Sequence, residues 1–235
     1  DLHNHEILGL IGPNGAGKST VFNLLTSVYQ PTEGEILLHG KSILGNQTWQ
    51  TANLGMVRTF QNIRLFRSLS VLDNVRLGFH NQGKYGLLST FTRSSQYWRE
   101  EHRYTERAWA LLTIFGMQTY ATQPASRLPY GLQRRLEICR AVAASPRILL
   151  LDEPVAGMNP TETIQIMALI RQIRDEFGIA VILIEHDMNL VMQICERVIV
   201  LDYGKIISQG KPEEIRQDPK VIEAYLGPDE VEIQA

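Results

Sequence analysis

Eight consecutive residues, Gly12-Pro13-Asn14-Gly15-Ala16-Gly17-Lys18-Ser19, set glycines, a lysine and a hydroxyl in the spacing G-x-x-x-x-G-K-[ST]. Glycines let a backbone turn so that successive N–H groups point inward, and such a nest at the positive end of a helix holds phosphate oxygens. Lys18 would set its ammonium on the terminal phosphates and Ser19 would offer its hydroxyl to Mg2+, with Thr20 next in line. A glycine-rich turn with a fortuitous Lys-Ser is the plain alternative, and the strand-like run before the motif and the helical spacing after it weigh against that. A second apolar run, Ile148 to Leu151, delivers Asp152 and Glu153. Asp152 would reach the metal through a water, and Glu153 could polarise an attacking water. A third run, Ile179 to Ile184, ends at Glu185 and His186, which puts a further polar group at the same sheet edge. Together these groups point to a nucleoside triphosphate.

The elements that must position them show as patterns. Glu6 to Ile11 is a short apolar strand, and from Gly17 the spacing of Val21, Leu24 and Leu25 is helical. Pro31 to Gly34 is a turn cluster, followed by strand-like runs over Glu35–Leu38 and Gly55–Phe60. Ser70, with Asp73 three residues on, predicts a helix start, and the pattern stays mostly helical to about Gln123, broken by a looser stretch over Asn81–Ser95. Trp98, Trp109 and Phe115 are expected as core anchors of this region, since no basic stripe accompanies them. Gly131 opens a helix with Leu132, Leu136, Cys139, Val142 and Ala143 on one face, ending at Ser145-Pro146. Thr161 to Phe177 is an amphipathic helix closed by Gly178. Fully apolar strands alternating with helices imply a parallel sheet covered on both faces, with ligands at its carboxyl edge.

Composition excludes several classes. The 235 residues are 44% hydrophobic and carry 23 basic against 25 acidic side chains, a net charge of −2, so neither disorder nor a nucleic-acid partner is expected. No apolar run approaches the roughly 20 residues of a membrane-crossing helix. Cys139 and Cys195 have no companions at disulfide or zinc spacing and are expected as buried apolar residues on helices. Asn46-Gln47-Thr48 is a chance glycosylation match in a polar turn. From Lys211 the tail holds three basic and seven acidic residues, which predicts a solvated face and no anionic partner.

With Gly131 lying between the two halves, the order of motifs resembles that of the ATP-binding subunit of an ATP-binding-cassette (ABC) transporter over essentially the whole chain. The Walker A run falls at 12–19, and the Q-loop glutamine at Gln61 in Thr59-Phe60-Gln61-Asn62. The signature falls at Leu128-Pro129-Tyr130-Gly131-Leu132-Gln133 and Walker B at 148–152. Glu153 stands at the catalytic glutamate, Ala156-Gly157-Met158-Asn159 at the D-loop and His186 at the switch histidine. A GTPase is excluded for want of an Asn-Lys-x-Asp segment. The wording of Arg58 to Phe66, of Glu185 to Val191 and of Val221 to Gly227 is similar to branched-chain amino acid importer ATPases, and the polar insertion near Lys84–Trp98 suits the longer of their two paralogues. Related ATPases serve urea uptake or lipopolysaccharide export. Soluble cassette ATPases of translation or DNA repair usually carry two cassettes or a long coiled coil, and neither is present.

The resemblance implies an α/β P-loop NTPase fold with a RecA-like core sheet over about 1–69 and 146–210, an inserted helical subdomain over about 70–145 and a helical tail over about 211–235. It implies ATP and Mg2+ as cofactors, with Ser19, Gln61 and (through water) Asp152 toward the metal. Glu153 and His186 are the implied catalytic pair. The implied partners are a second ATPase, identical or paralogous, two transmembrane permease subunits and, indirectly, a periplasmic binding protein, at the cytoplasmic face of the inner membrane. The family's adenine-stacking aromatic lies upstream of Walker A and is expected outside this chain, as is the N-terminal strand that carries it. Four positions depart from the family pattern. Pro129 replaces the signature serine, Tyr130 its first glycine and Leu132 its glutamine, while Asn159 replaces the D-loop aspartate.

Overall fold

Ile7–Ile11 (β1) is apolar and buried at every position, so both faces of this strand are covered, as expected of the middle of a parallel sheet. Two further strands share that property almost throughout: Ile148–Asp152 (β5) and Ala180–Ile184 (β6). A computed structural model describes residues 1–79 and 95–226. They fall into two units, one made of Asp1–Gln61, Arg147–Ala156 and the chain from Met167 onward, the other of Asn62–Pro146 and Gly157–Ile166.

The first unit holds a six-stranded sheet in the order β4-β5-β6-β1-β7-β8, where β4 is Met56–Arg58, β7 Arg197–Asp202 and β8 Lys205–Gly210. All neighbours are parallel except β8, which returns antiparallel along β7. Leu10 and Asp152 both pair with Ile184, so β5, β6 and β1 reach their carboxyl ends at one level. Leu37–Leu38 (β2) and Lys41–Ser42 (β3) make a separate two-residue hairpin, shorter than the strand expected from Glu35. Leu10, Phe22, Met56, Leu150, Ile182, Ile184 and Leu201 share one core cluster. Helices Lys18–Leu25 (α1), Thr48–Asn53 (α2) and Met188–Ile194 (α7) belong to this unit, as do Pro212–Gln217 (α8) and Pro219–Leu226 (α9). Ile215 and Val221 are buried, so the tail is not the wholly solvated face that its charge predicts. The remainder of the acidic tail, from Gly227, lies outside the described residues.

The second unit packs Val71–Gly78 (α3) against Ser95–Ile114 (α4) and Tyr130–Ala143 (α5). Ser70 caps α3 by accepting the Asp73 N–H at 3.0 Å, and its hydroxyl also donates to the Asp73 carboxylate at 2.6 Å. Gly78 lets α3 approach α5 closely, since a Cβ there would meet the Arg140 carbonyl oxygen at 2.5 Å. Of the three expected aromatic anchors only Phe115 is buried. Trp98 is 58% exposed and Trp109 39%. Eleven residues apart, they lie on one side of α4, whereas the buried stripe is Tyr104, Ala108, Leu111, Leu112 and Phe115, centred about a quarter-turn away. Cys139 is buried on α5, and Cys195 is buried at the C-cap of α7. The loose stretch over Asn81–Ser95 lies outside the described residues except for Ser95, and so does most of the insertion near Lys84–Trp98. Pro160–Phe177 (α6) places its first turns in the second unit and the rest in the first.

Candidate functional site

β1 gives way to the phosphate loop at Gly12, whose φ of 149° is open to glycine and strained for other residues. A Cβ there would stand 2.0 Å from the Leu201 carbonyl oxygen, so the loop begins hard against the end of β7. Gly17, in the left-handed region, is the N-cap of α1 and supplies no side-chain cap, which leaves the first N–H groups of that helix open to an anion. The Gly204 N–H donates to the Ala16 carbonyl at 2.9 Å and holds the loop from the β7–β8 turn. Lys18 folds back, donating to the carbonyls of Gly12 at 2.7 Å and Pro13 at 2.9 Å. Burial lowers its pKa, and the nearby charges of Glu153 and Asp152 oppose that shift.

Asp152 closes β5 and Glu153 follows with φ 47°, a strained value for a residue with a side chain. One Glu153 oxygen accepts from the Gln61 amide at 2.8 Å, and the other lies 2.5 Å from Nε2 of His186. A cavity of about 270 Å3 is lined by Asn14 to Thr20, Glu153, Ile184 and His186. It brings the glycine loop, a carboxylate and an imidazole around one space. A carboxylate held from both sides in such a cleft can orient a water and take its proton.

Asp152 is not among the residues lining that cavity. It pairs at 2.6 Å with Arg58 on β4, which also donates to Asn23 at 2.7 Å. The Arg58 guanidinium lies 5.2 Å from the ring centroids of both Phe22 and Phe60. Glu185 is buried and accepts the Val155 N–H at 3.2 Å, which ties the loop after β6 to the loop after β5. Burial raises its pKa to about 7, against the N–H groups of Val155 and His186 that favour the charged form. Motif spacing marks neither Arg58 nor Glu185. Each opens a family-like string, Arg58 to Phe66 and Glu185 to Val191, and each is a charged side chain at the end of an apolar strand, but neither signal assigns it a partner.

The six signature residues lie in the second unit. Pro129 is the N-cap of α5, and Tyr130 is 45% exposed on its first turn. Gly131 is buried, and a Cβ there would meet Glu162 at 2.7 Å. Gln133 donates to the Leu128 carbonyl at 2.8 Å. Of the segment 156–159, Ala156 belongs to the first unit and the other three to the second. Asn159 and Glu162 exchange side-chain-to-backbone bonds of 3.0 and 3.1 Å, a capping box at the start of α6. On α5, Arg134 and Glu137 form a buried pair at 2.8 Å, and Glu137 also accepts the Arg64 N–H.

A parallel sheet with a glycine loop after β1 and an acid pair after β5 defines a P-loop nucleotide-binding protein. Residues 1–156 match the family model described as ABC transporter, and residues 205–227 match one described as branched-chain amino acid ATP-binding cassette transporter. The chain is 46% identical, over 97% of its length and 89% of the relative's, to the high-affinity branched-chain amino acid transport ATP-binding protein LivG of Escherichia coli K12. Its fold is similar to a nucleotide-free ATP-binding cassette from an ABC transporter, with TM-score 0.82, 29% identity, and 96% and 90% of the two chains covered. It is also similar to the dimeric ABC transporter cassette MJ0796, with TM-score 0.74, 25% identity, and 90% and 88% covered. The chain belongs to the ABC transporter ATP-binding family and is an ATPase.

Proposed function

We propose that this chain hydrolyses ATP to drive import of branched-chain amino acids through a membrane permease. The observation that carries the mechanistic part is the Glu153 carboxylate gripped between Gln61 and His186 at a cavity lined by the glycine loop. In this reading Lys18 leaves the two loop carbonyls and takes the terminal phosphates, where the N–H groups of residues 15–20 complete the cradle. Glu153 orients the attacking water and accepts its proton, while His186 fixes the carboxylate and contacts the γ-phosphate. Gln61 then carries the state of the site toward the permease.

Mg2+ fits the donor set. Ser19 offers a hydroxyl and Gln61 an amide oxygen, hard oxygen donors suited to this ion, while Asp152, paired with Arg58 outside the cavity lining, would act only through a bridging water. Among the described residues no group of three or more His, Cys, Asp or Glu could hold a metal ion. Bound there, the ion would supply charge neutralisation between the phosphates.

The working unit in this reading is a pair of cassettes, identical or paralogous, in which residues 128–133 of one cap the nucleotide of the other. Backbone N–H groups at the start of α5 take the place of the hydroxyl that Pro129 lacks. The core over about 1–69 and 146–210 binds nucleotide, and the segment over about 70–145 carries the signature. No described helix is long and apolar enough to cross a membrane. In this reading the chain sits at the cytoplasmic face of the inner membrane on two permease subunits, and a periplasmic binding protein delivers the cargo to them. The amino acid assignment draws on the relatives' names and on the match of residues 205–227.

Glu153→Gln tests the chemistry. ATP affinity by calorimetry should hold, turnover should fall by about 100- to 10,000-fold, and an ATP-bound dimer should accumulate on size exclusion. Near-wild-type turnover would remove Glu153 from the reaction. Uptake of labelled leucine by cells lacking the chain, restored by wild type and not by Glu153→Gln, tests the cargo; restored urea uptake instead would overturn it.

A further inference from the structure

Gly12 is pinned on both sides of its residue. Its carbonyl accepts from Lys18, and its N–H donates at 2.9 Å to the hydroxyl of Tyr225, 213 positions further along the chain. The two holds differ in kind. In the mechanism above, Lys18 must release the carbonyl when phosphate arrives, whereas nothing in it calls on Tyr225. The tyrosine therefore remains to fix the first peptide of the loop at the moment when the lysine lets go.

The tail is built to deliver that hydroxyl. Ser208 on β8 donates to the Asp218 carboxylate at 2.5 Å, and Asp218 in turn accepts the Lys220 N–H at 2.9 Å in the first turn of α9. Val221 and Ile215 are buried beneath. Lys220, Glu223 and Ala224 line a cavity of about 490 Å3 together with Pro13, Asn14, Gly15 and Ala16, so this helix flanks the glycine loop without filling the space beside it. Burial raises the Tyr225 pKa, so the hydroxyl stays protonated at physiological pH.

We propose that α9 is a strap on the phosphate loop, with Tyr225 a positioning residue whose hydroxyl holds Gly12 in the nucleotide-binding conformation. Docking of the tail and binding of a nucleoside triphosphate then favour one another, because each orders the same loop. The inference rests on the nucleotide assignment above and adds to it a contribution from the tail.

Tyr225→Phe deletes one oxygen and keeps the ring. Calorimetry with ATP should show affinity about three- to tenfold weaker than wild type, the worth of one hydrogen bond to a backbone donor. Steady-state kinetics should show a raised KM for ATP with kcat nearly unchanged, a split that a merely structural loss would not produce. Hydrogen exchange at residues 219–226 should slow when ATP is added to wild type, by a factor comparable to the affinity change, and should respond far less in the variant. A second variant, Val221→Ala, loosens the tail while keeping the hydroxyl, and should likewise raise KM and speed exchange over 219–226. Equal ATP affinity in wild type and Tyr225→Phe, with tail exchange indifferent to ATP, overturns the proposal. A wild type that binds no ATP overturns instead the nucleotide assignment.

Discussion

Replacing Glu185 with glutamine should change how stability depends on pH, and the sign and size follow from where the side chain lies. Glu185 is 5% exposed at the end of β6, with its carboxylate on the Val155 N–H. Burial favours the neutral form, the N–H groups of Val155 and His186 favour the charged one, and of the facing groups the Glu153 carboxylate adds to burial while the His186 ring opposes it; burial prevails and brings the pKa to about 7. The unfolded chain titrates this group near its ordinary 4.5. Between those values the folded protein holds a proton that the unfolded chain has lost, so folding is favoured at low pH. The contribution is complete below about pH 4.5 and is lost as pH rises through about 7, with a full amplitude of about 3 kcal/mol. Glutamine reproduces the neutral form and keeps an acceptor for Val155. Urea denaturation at pH 5, 6, 7 and 8 should show Glu185→Gln within about 1 kcal/mol of wild type at pH 5 and more stable by about 3 kcal/mol at pH 8. Taking the difference between the two proteins cancels the titration of every group that does not interact with Glu185. A difference that stays constant across that range would refute the argument.

Three further substitutions probe other contacts. Arg58→Met strands the Asp152 carboxylate and should destabilise by about 3–5 kcal/mol in urea, with Arg58→Met/Asp152→Asn recovering much of the loss; a single variant as stable as wild type contradicts the pairing. Gly12→Ala puts a methyl 2.0 Å from a backbone oxygen at a φ hostile to alanine, and should lower the melting temperature sharply, by about 4 kcal/mol of stability; an unchanged melt would mean that the loop can shift cheaply. Asn159→Ala removes one half of a capping box and should cost about 1 kcal/mol, whereas Asn159→Asp should hold stability; equal losses for both would exclude capping as the reason.

Asn159 shows how a motif position can carry two meanings. Against the family pattern it is a missing aspartate, yet the local string Asn159-Pro160-Thr161-Glu162 spells an N-cap, a proline at the first helical position and a box partner at the third. Helix α6 accordingly begins at Pro160, one residue before the periodicity expects. Trp98 and Trp109 show the opposite failure. Aromatic size argued for burial, but helix phase decides which side chains a packed face can accept, and theirs is a quarter-turn off the stripe through Ala108 and Leu112. The tail shows a third. Charge alone predicted a solvated segment, and the apolar pair Ile215 and Val221, with Tyr225 in phase to reach the loop, was diluted by the acids around it.

What local pattern could not supply is the order of strands. Three apolar runs end in Gly12, in Asp152-Glu153 and in Glu185-His186, and each can be recognised from its own few residues. Their convergence depends on β6 lying between β5 and β1, with Asp152 and Leu10 both registered on Ile184, a fact that involves more than 140 residues of separation. Had another strand lain between β5 and β6, His186 and Glu153 would stand a further strand spacing apart, about 5 Å, too far for the 2.5 Å contact between them. The same adjacency explains why Glu185 can hold Val155: neighbouring parallel strands that finish level hand their exit loops to one another. Arg58 extends the logic one strand outward, because β4 pairs with β5 so that Arg58 lies opposite Leu150, two residues from the Asp152 carboxylate that it meets. The chemistry at this edge is therefore a property of register, and a shift of one residue along β6 would turn the side chains that follow it to the other face and separate the imidazole from its carboxylate.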